Sequence, residues 1–201
     1  MKQFKEKMKE KIALYSDKKY LDGYIWNEFL TEDGDADIFL KLSHIDELIN
    51  PRTIHRQLDL LPTIYDYIES KTAMLDSDIQ IHFHILGLSL SSSEQEQIRH
   101  IIKEHYAIEL YKKQKEYIQY RNKIINLILI GFIFLIAYAL LYLFTKLNFF
   151  LEVFGFLFSF SLWEGCDCFI YSFLETKQSR EDITQNLLME VDFEDHYQEK
   201  A

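Results

Sequence analysis

Cysteine is nearly absent from this 201-residue chain, and its two copies, Cys166 and Cys168, sit near the end of one apolar run. No disulfide framework is therefore expected, and cysteine-free soluble parts suit a reducing compartment. Proline occurs only at Pro51 and Pro62, and between Glu94 and Ile130 there is neither proline nor glycine. No Walker A sequence, dinucleotide fingerprint or Gly-x-Ser-x-Gly elbow is present, so nucleotide binding has no support and Ser91–Ser93 read as helix-capping residues. The basic N-terminus lacks an apolar core and a small-residue cleavage site, so no secretory signal is expected. Positive charge is the minority: 22 Lys and Arg against 32 Asp and Glu, net charge -10. That balance argues against nucleic acid as a partner.

What the chain does have is two long apolar runs. Ile124–Phe144 is uncharged and long enough to span a bilayer. The second runs from Leu147 to about Phe173, separated from the first by Thr145 and Lys146. The expectation is a transmembrane hairpin, helix 1 at 124–144 and helix 2 at 147–173. Lys112, Lys113, Lys115, Arg121 and Lys123 precede the first run; Lys177 and Arg180 follow the second. The positive-inside bias then puts both termini in the cytoplasm of a multi-pass cell-membrane protein. The five basic residues before the first run are expected to meet anionic lipid headgroups.

The remaining sequence divides by composition. Residues 1–19 form a basic segment in which Phe4, Met8, Ile12 and Tyr15 recur at helical spacing. It reads as a solvated helical tail, or more sharply as a peripheral membrane foot. Residues 20–110 read as a small α+β cytoplasmic domain. Alternation predicts strands over Ala36–Leu42 and Asp78–Leu86, and Ile64, Tyr65 and Ile68 predict a helix from Pro62 to about Met74. Ser93 and Glu96 have capping-box spacing. From Glu94 one helix is expected to run through the basic juxtamembrane stretch 111–123 to Phe144, roughly 75 Å. Residues 174–201 read as an acidic cytoplasmic tail. The expected fold class is thus an α+β domain joined by a long helix to a two-helix membrane hairpin.

The second run carries the most specific pattern. Gly155 and Ser159, four apart, offer a small-residue face for close helix packing, with a second copy of the chain as the expected partner. Trp163, Glu164, Asp167 and Tyr171 follow. Either the helix continues to Phe173, with Lys123 able to reach Asp167 and Glu164 lying deeper, or it ends near Trp163 with Gly165 loosening the chain. The stretch Trp163, Glu164, Gly165, Asp167, Phe169, Tyr171 resembles a pattern in small bacterial two-span membrane proteins. There the hairpin ends in Trp, a charged residue, Pro, x, Glu, x, Phe, x, Tyr. Similarity extends to the strand Ile79–Ile85 and the helix Glu94–Lys123. This chain departs from the pattern at Gly165, where Pro is usual, and at Glu164, where a basic residue is common. The resemblance implies a fold and no activity.

Other constellations are weaker. His82 and His84 share a strand face and could grip a metal, but no third ligand is identifiable; two histidines on the wetter face of a sheet is the plainer reading. Asp33, Asp35 and Asp37 fail the calcium-loop pattern at Ile38 and His44. Asp35-Ala36-Asp37 lacks the Gly-Ser turn of magnesium-dependent nucleotidyltransferases, having Gly23-Tyr24 instead. Cys166-x-Cys168 reads as small side chains in a packed helix. No cofactor, metal or catalytic residue is expected. The expectation is a non-enzymatic, self-associating, membrane-tethered interaction or regulatory module with a protein partner still to be identified. The alternatives are an oligomeric channel or pore using Glu164 and Asp167, and a metal-dependent enzyme on the cytoplasmic domain.

Overall fold

Alternation of apolar and polar side chains builds the first two strands. In the computed structural model β1 is Ala36–Lys41 and β2 is Ile81–Leu86. The structure describes residues 29–31, 33–53, 58–144 and 148–194, with Glu6, Lys7, Lys9, Lys11 and Ala13. The readings of the Phe4–Tyr15 periodicity, of Gly23-Tyr24 and of Thr145 and Lys146 lie outside these residues. Ile38, Ile81, Phe83 and Ile85 are buried on one face of the sheet. Between the strands, α1 (Pro62–Thr72) starts on a proline, whose missing N–H would have no helical partner at that position anyway. It buries Ile64, Tyr65 and Ile68. β2 begins at Ile81 rather than Asp78, because Ile79 N–H turns back to the Asp76 carbonyl at 3.1 Å.

After β2 comes α2, Ser92–Phe144, one helix of 53 residues, as the absence of proline, and of glycine before Gly131, predicts. Its start lies at a different Ser-x-x-Glu from the one expected. Ser91, not Ser93, caps it: the Ser91 N–H and hydroxyl donate to Glu94 Oε2 at 2.8 and 2.7 Å. These bonds, the hydroxyl one foremost, hold the Glu94 carboxyl below its ordinary range. A carboxyl depressed by folding adds stability above its unfolded pKa, and that stability is lost as pH falls through the folded value. Glu94→Gln should therefore melt below wild type at neutral pH and match it once acid protonates the carboxyl, as thermal unfolding at both pH values would show. Ser91→Ala should cost about 1 kcal/mol.

The third strand is where the acidic tail was expected. α3 (Asn148–Asp167), a π-helical stretch (Cys168–Phe173) and α4 (Leu174–Leu188) lead to β3, Glu190–Glu194. The sheet order is β1-β2-β3, and both pairings are parallel, with Ile38 opposite Phe83 and Phe83 opposite Val191. Strands that alternate with helices and pair in parallel are α/β in character. The expected α+β class holds for the mixture of helix and sheet and is corrected for its connectivity. Both sheet edges have a carbonyl taken by a side chain: Tyr67 OH donates to Phe39 O at 2.7 Å and Arg99 Nε to Val191 O at 2.8 Å. Such contacts blunt edge-to-edge pairing.

The chain forms two compact units. One comprises residues up to Ala107 together with those from Thr184 onward; the other is Ile108–Ile183. The return segment from Thr184 thus groups with the strand-bearing unit, across the two apolar helices in sequence. The core of that unit includes Leu48, Leu60, Ile68, Phe83, Ile102, Tyr106 and Met189. In the second unit α2 and α3 meet at small residues. A Cβ on Gly131 would lie 3.5 Å from Ser161 Cβ, and one on Gly165 would lie 3.8 Å from Leu127 Cβ. Beyond this seam both helices are apolar and uncovered: 6% of the most apolar window of α2 is buried, and 17% of that in the helix from Asn148.

Candidate functional site

Parallel register places His82 and His84 in the middle of the sheet's polar face, flanked by carboxylates on both outer strands. His84 Nε2 lies 3.2 Å from Asp37 Oδ1 on β1, and its Nδ1 lies 3.2 Å from Glu194 Oε1 on β3. The second contact has the distance but not the alignment of a hydrogen bond. His82 repeats the arrangement more loosely, 3.6 Å from Asp35 before β1 and 3.5 Å from Glu190 on β3. Phe39 stacks on His84 with ring centroids 4.8 Å apart. A neutral imidazole has one N–H to give and an imidazolium two. Only the protonated form can donate to both flanking strands at once. The metal reading finds no geometry: among the described residues no group of three or more His, Cys, Asp or Glu is placed to hold an ion.

Glu190 and Glu194 become partners of the imidazoles only because β3 forms in the stretch expected to be an acidic tail. The signal was present: Met189, Val191 and Phe193 alternate with Glu190, Asp192 and Glu194. A second polar cluster lies inside the core. Tyr65 OH donates to Asp59 Oδ1 at 2.6 Å, and its ring stacks on His105. Burial first, then the Asp59 bond, pushes the Tyr65 phenol far up; burial does the same to Tyr106. Both phenols stay neutral and serve packing.

In the second unit the motif residues separate. Lys123 Nζ bonds Glu164 Oε1 at 2.9 Å, not Asp167, which is exposed. The helix does not break at Gly165; it widens into the π-helical turn that begins at Cys168, with Cys168 buried and Cys166 exposed. Trp163 and Tyr171 are exposed. Gly155 faces the Tyr138 ring of α2, where a Cβ would sit 3.6 Å away, and Ser159 is exposed. Within the chain, the buried small pair of α3 spaced by four is Ser161 and Gly165.

Two of the five basic residues before the first apolar run pair along the helix itself. Lys112 pairs with Glu109 at 2.6 Å and Lys113 with Glu116 at 2.9 Å. Lys115 and Arg121 are exposed, with no ion pair among the described residues. Sequence reasoning missed a clamp beside them: Arg180 donates to Gln114 Oε1 at 3.1 Å and lies over the Tyr117 ring, which meets Phe173. Removing Lys123 leaves the Glu164 carboxylate without its cation. Lys123→Ala should therefore destabilise the α2–α3 pair more than Lys123→Ala with Glu164→Ala does, in a double-mutant cycle read by thermal unfolding in bilayers. Comparison with known proteins adds no relative to this geometry: no family model, no curated protein and no solved structure matches the chain.

Proposed function

We propose that the chain is a membrane-anchored, non-enzymatic interaction module. In this reading α2 from Ile124 to Phe144 and α3 cross the bilayer as a hairpin. The sheet domain and both termini lie on the cytoplasmic face, and the basic residues from Lys112 to Lys123 sit at the headgroups. One observation carries the reading: among the described residues, two helices of mean hydropathy 2.8 and 1.4 in their most apolar windows have only 6% and 17% of those windows buried. In water, monomers rarely leave contiguous apolar patches beyond a few hundred Å² exposed. In lipid the same surface is at no disadvantage, and helices satisfy their own backbone there.

Four further features support it. β3 pairs with β2, so a chain that leaves after one strand must come back to lie beside it. Trp163 and Tyr171, exposed near the Lys123–Glu164 pair, are the residue types that anchor at interfaces. Glu164 has a cation within its own hairpin, which answers the cost of a carboxylate near lipid without a proton path. The carboxylates Asp35, Asp37, Glu190 and Glu194 lie within 3.2–3.6 Å of the two imidazoles, an electrostatic arrangement across the three strands that needs no reaction.

Membrane fractionation of the full chain tests this. It should pellet with membranes and stay there through high salt and alkaline carbonate, leaving only with detergent. Reporters fused before Met1 and after Ala201 should both read cytoplasmic. A chain that dissolves without detergent, or a periplasmic reporter, overturns the reading.

A further inference from the structure

We propose that β3 makes closure of the sheet domain conditional on correct insertion of the hairpin, so that the fold itself checks topology. The inference rests on the membrane reading and goes beyond it. Residues before Ala107 supply β1, β2, α1 and the first turns of α2, but they do not complete the sheet. β2 is the central strand, and its second edge is paired only by β3, from His82 with Glu190 to Leu86 with Glu194. The return segment also fills the core with Met189 and Val191, both nearly inaccessible.

Side chains lock the same segment from three directions. Gln185 Nε2 donates to the carbonyls of Asp76 and Ile79, each at 2.8 Å, and Gln80 Nε2 donates to Leu188 O at 3.3 Å. Arg99 donates to Val191 O while its guanidinium lies 5.2 Å from the Phe193 ring centre. These contacts are all long-range, so they form late and all depend on where residues 184–194 end up.

Both apolar helices lie between β2 and β3 in the chain. β3 can reach β2 only when the two are on the same side of the bilayer, so once the first helix has crossed the second must cross as well. If the second stalls, β2 keeps a bare edge with Phe83 and Ile85 beside it, and two strands make a marginal sheet. Insertion failure is thereby converted into an unfolded, protease-sensitive domain.

The test uses the full chain in membranes and two readouts, pelleting and the rate of proteolysis within residues 29–107. Wild type should pellet and resist. Val191→Asp should pellet yet be cut roughly tenfold faster or more, since opening is then cheap. The double change Phe156→Arg, Phe160→Arg alters lipid-facing positions of α3 and leaves the domain sequence untouched. It should pellet through the first helix and be cut as fast as Val191→Asp. The double change Ile170→Arg, Leu174→Arg adds the same charge beyond α3, at exposed positions, and should keep wild-type resistance. Wild-type resistance in either of the first two variants overturns the proposal, as does rapid cutting of the Ile170/Leu174 variant. Failure of the wild type to pellet overturns the membrane reading instead, so the two failures are distinguishable.

Discussion

Phe83→Ala should remove about 3–5 kcal/mol from the sheet domain. The side chain is fully buried in the middle of the central strand, with Ile38 beside it on β1 and Val191 on β3. Neighbours on both flanks are fixed by backbone pairing, so the cavity cannot collapse without moving a strand. Domains of this size hold roughly 5–15 kcal/mol in total. The loss should lower the midpoint of thermal unfolding by roughly 15 °C or more. Phe39 gives the comparison, since it lies on the polar face, half-buried against His84. Phe39→Ala should cost about 1 kcal/mol, the share of a stacked pair with partial burial. If the two variants melted together, the polar face rather than the apolar one would be the structural core, and the assignment of faces would be wrong.

Such faces were legible because they are local. Ala36, Ile38 and Leu42, like Ile81, Phe83 and Ile85, announce their side of the sheet by alternation alone, and the structure buries them. The single helix from Ser92 to Phe144 was equally legible, since no proline interrupts it and its one glycine, Gly131, sits inside an apolar run. Pairing was not. Strand direction depends on which strands meet, and β3 is five residues in an acidic stretch, joined to its neighbour only after both apolar helices. Its alternation was too short to outweigh its charge. Helix rotation was equally hidden. Gly155/Ser159 and Ser161/Gly165 have the same spacing in the same apolar surroundings, and only the phase of α3 against α2 decides which pair is buried. The choice between Glu164 and Asp167 as the partner of Lys123 turns on that phase too. The capping serine shows the same limit on a smaller scale, because Ser91–Glu94 and Ser93–Glu96 overlap and the bonds settle which one starts the helix.

Gly87→Ala should be the most damaging single-methyl change in the domain, at roughly 2–5 kcal/mol. Gly87 ends β2 at φ +85, a left-handed conformation that costs an L-residue about 1–2 kcal/mol. A Cβ there would also stand 2.5 Å from the Leu42 carbonyl oxygen. That oxygen is backbone and cannot swing aside. Leu42 N–H is itself bonded to Leu86 O at 3.0 Å, and Gly87 N–H donates to Glu194 O at 3.1 Å. The ends of all three strands therefore converge on this one residue, and relieving the clash means separating β1 or β3 from β2. Overpacking of this kind adds about 1–3 kcal/mol. Gly34 separates the two causes. It has φ +90 with nothing within 4 Å of the added methyl. At Gly34, asparagine, which tolerates the left-handed region, should recover most of what alanine loses. At Gly87 asparagine should be nearly as harmful as alanine, because it carries the same Cβ into the same carbonyl. Thermal unfolding of the four variants decides it: full rescue by Gly87→Asn would mean that the strand ends are loose enough to part, and the tight convergence of the three strands would be refuted.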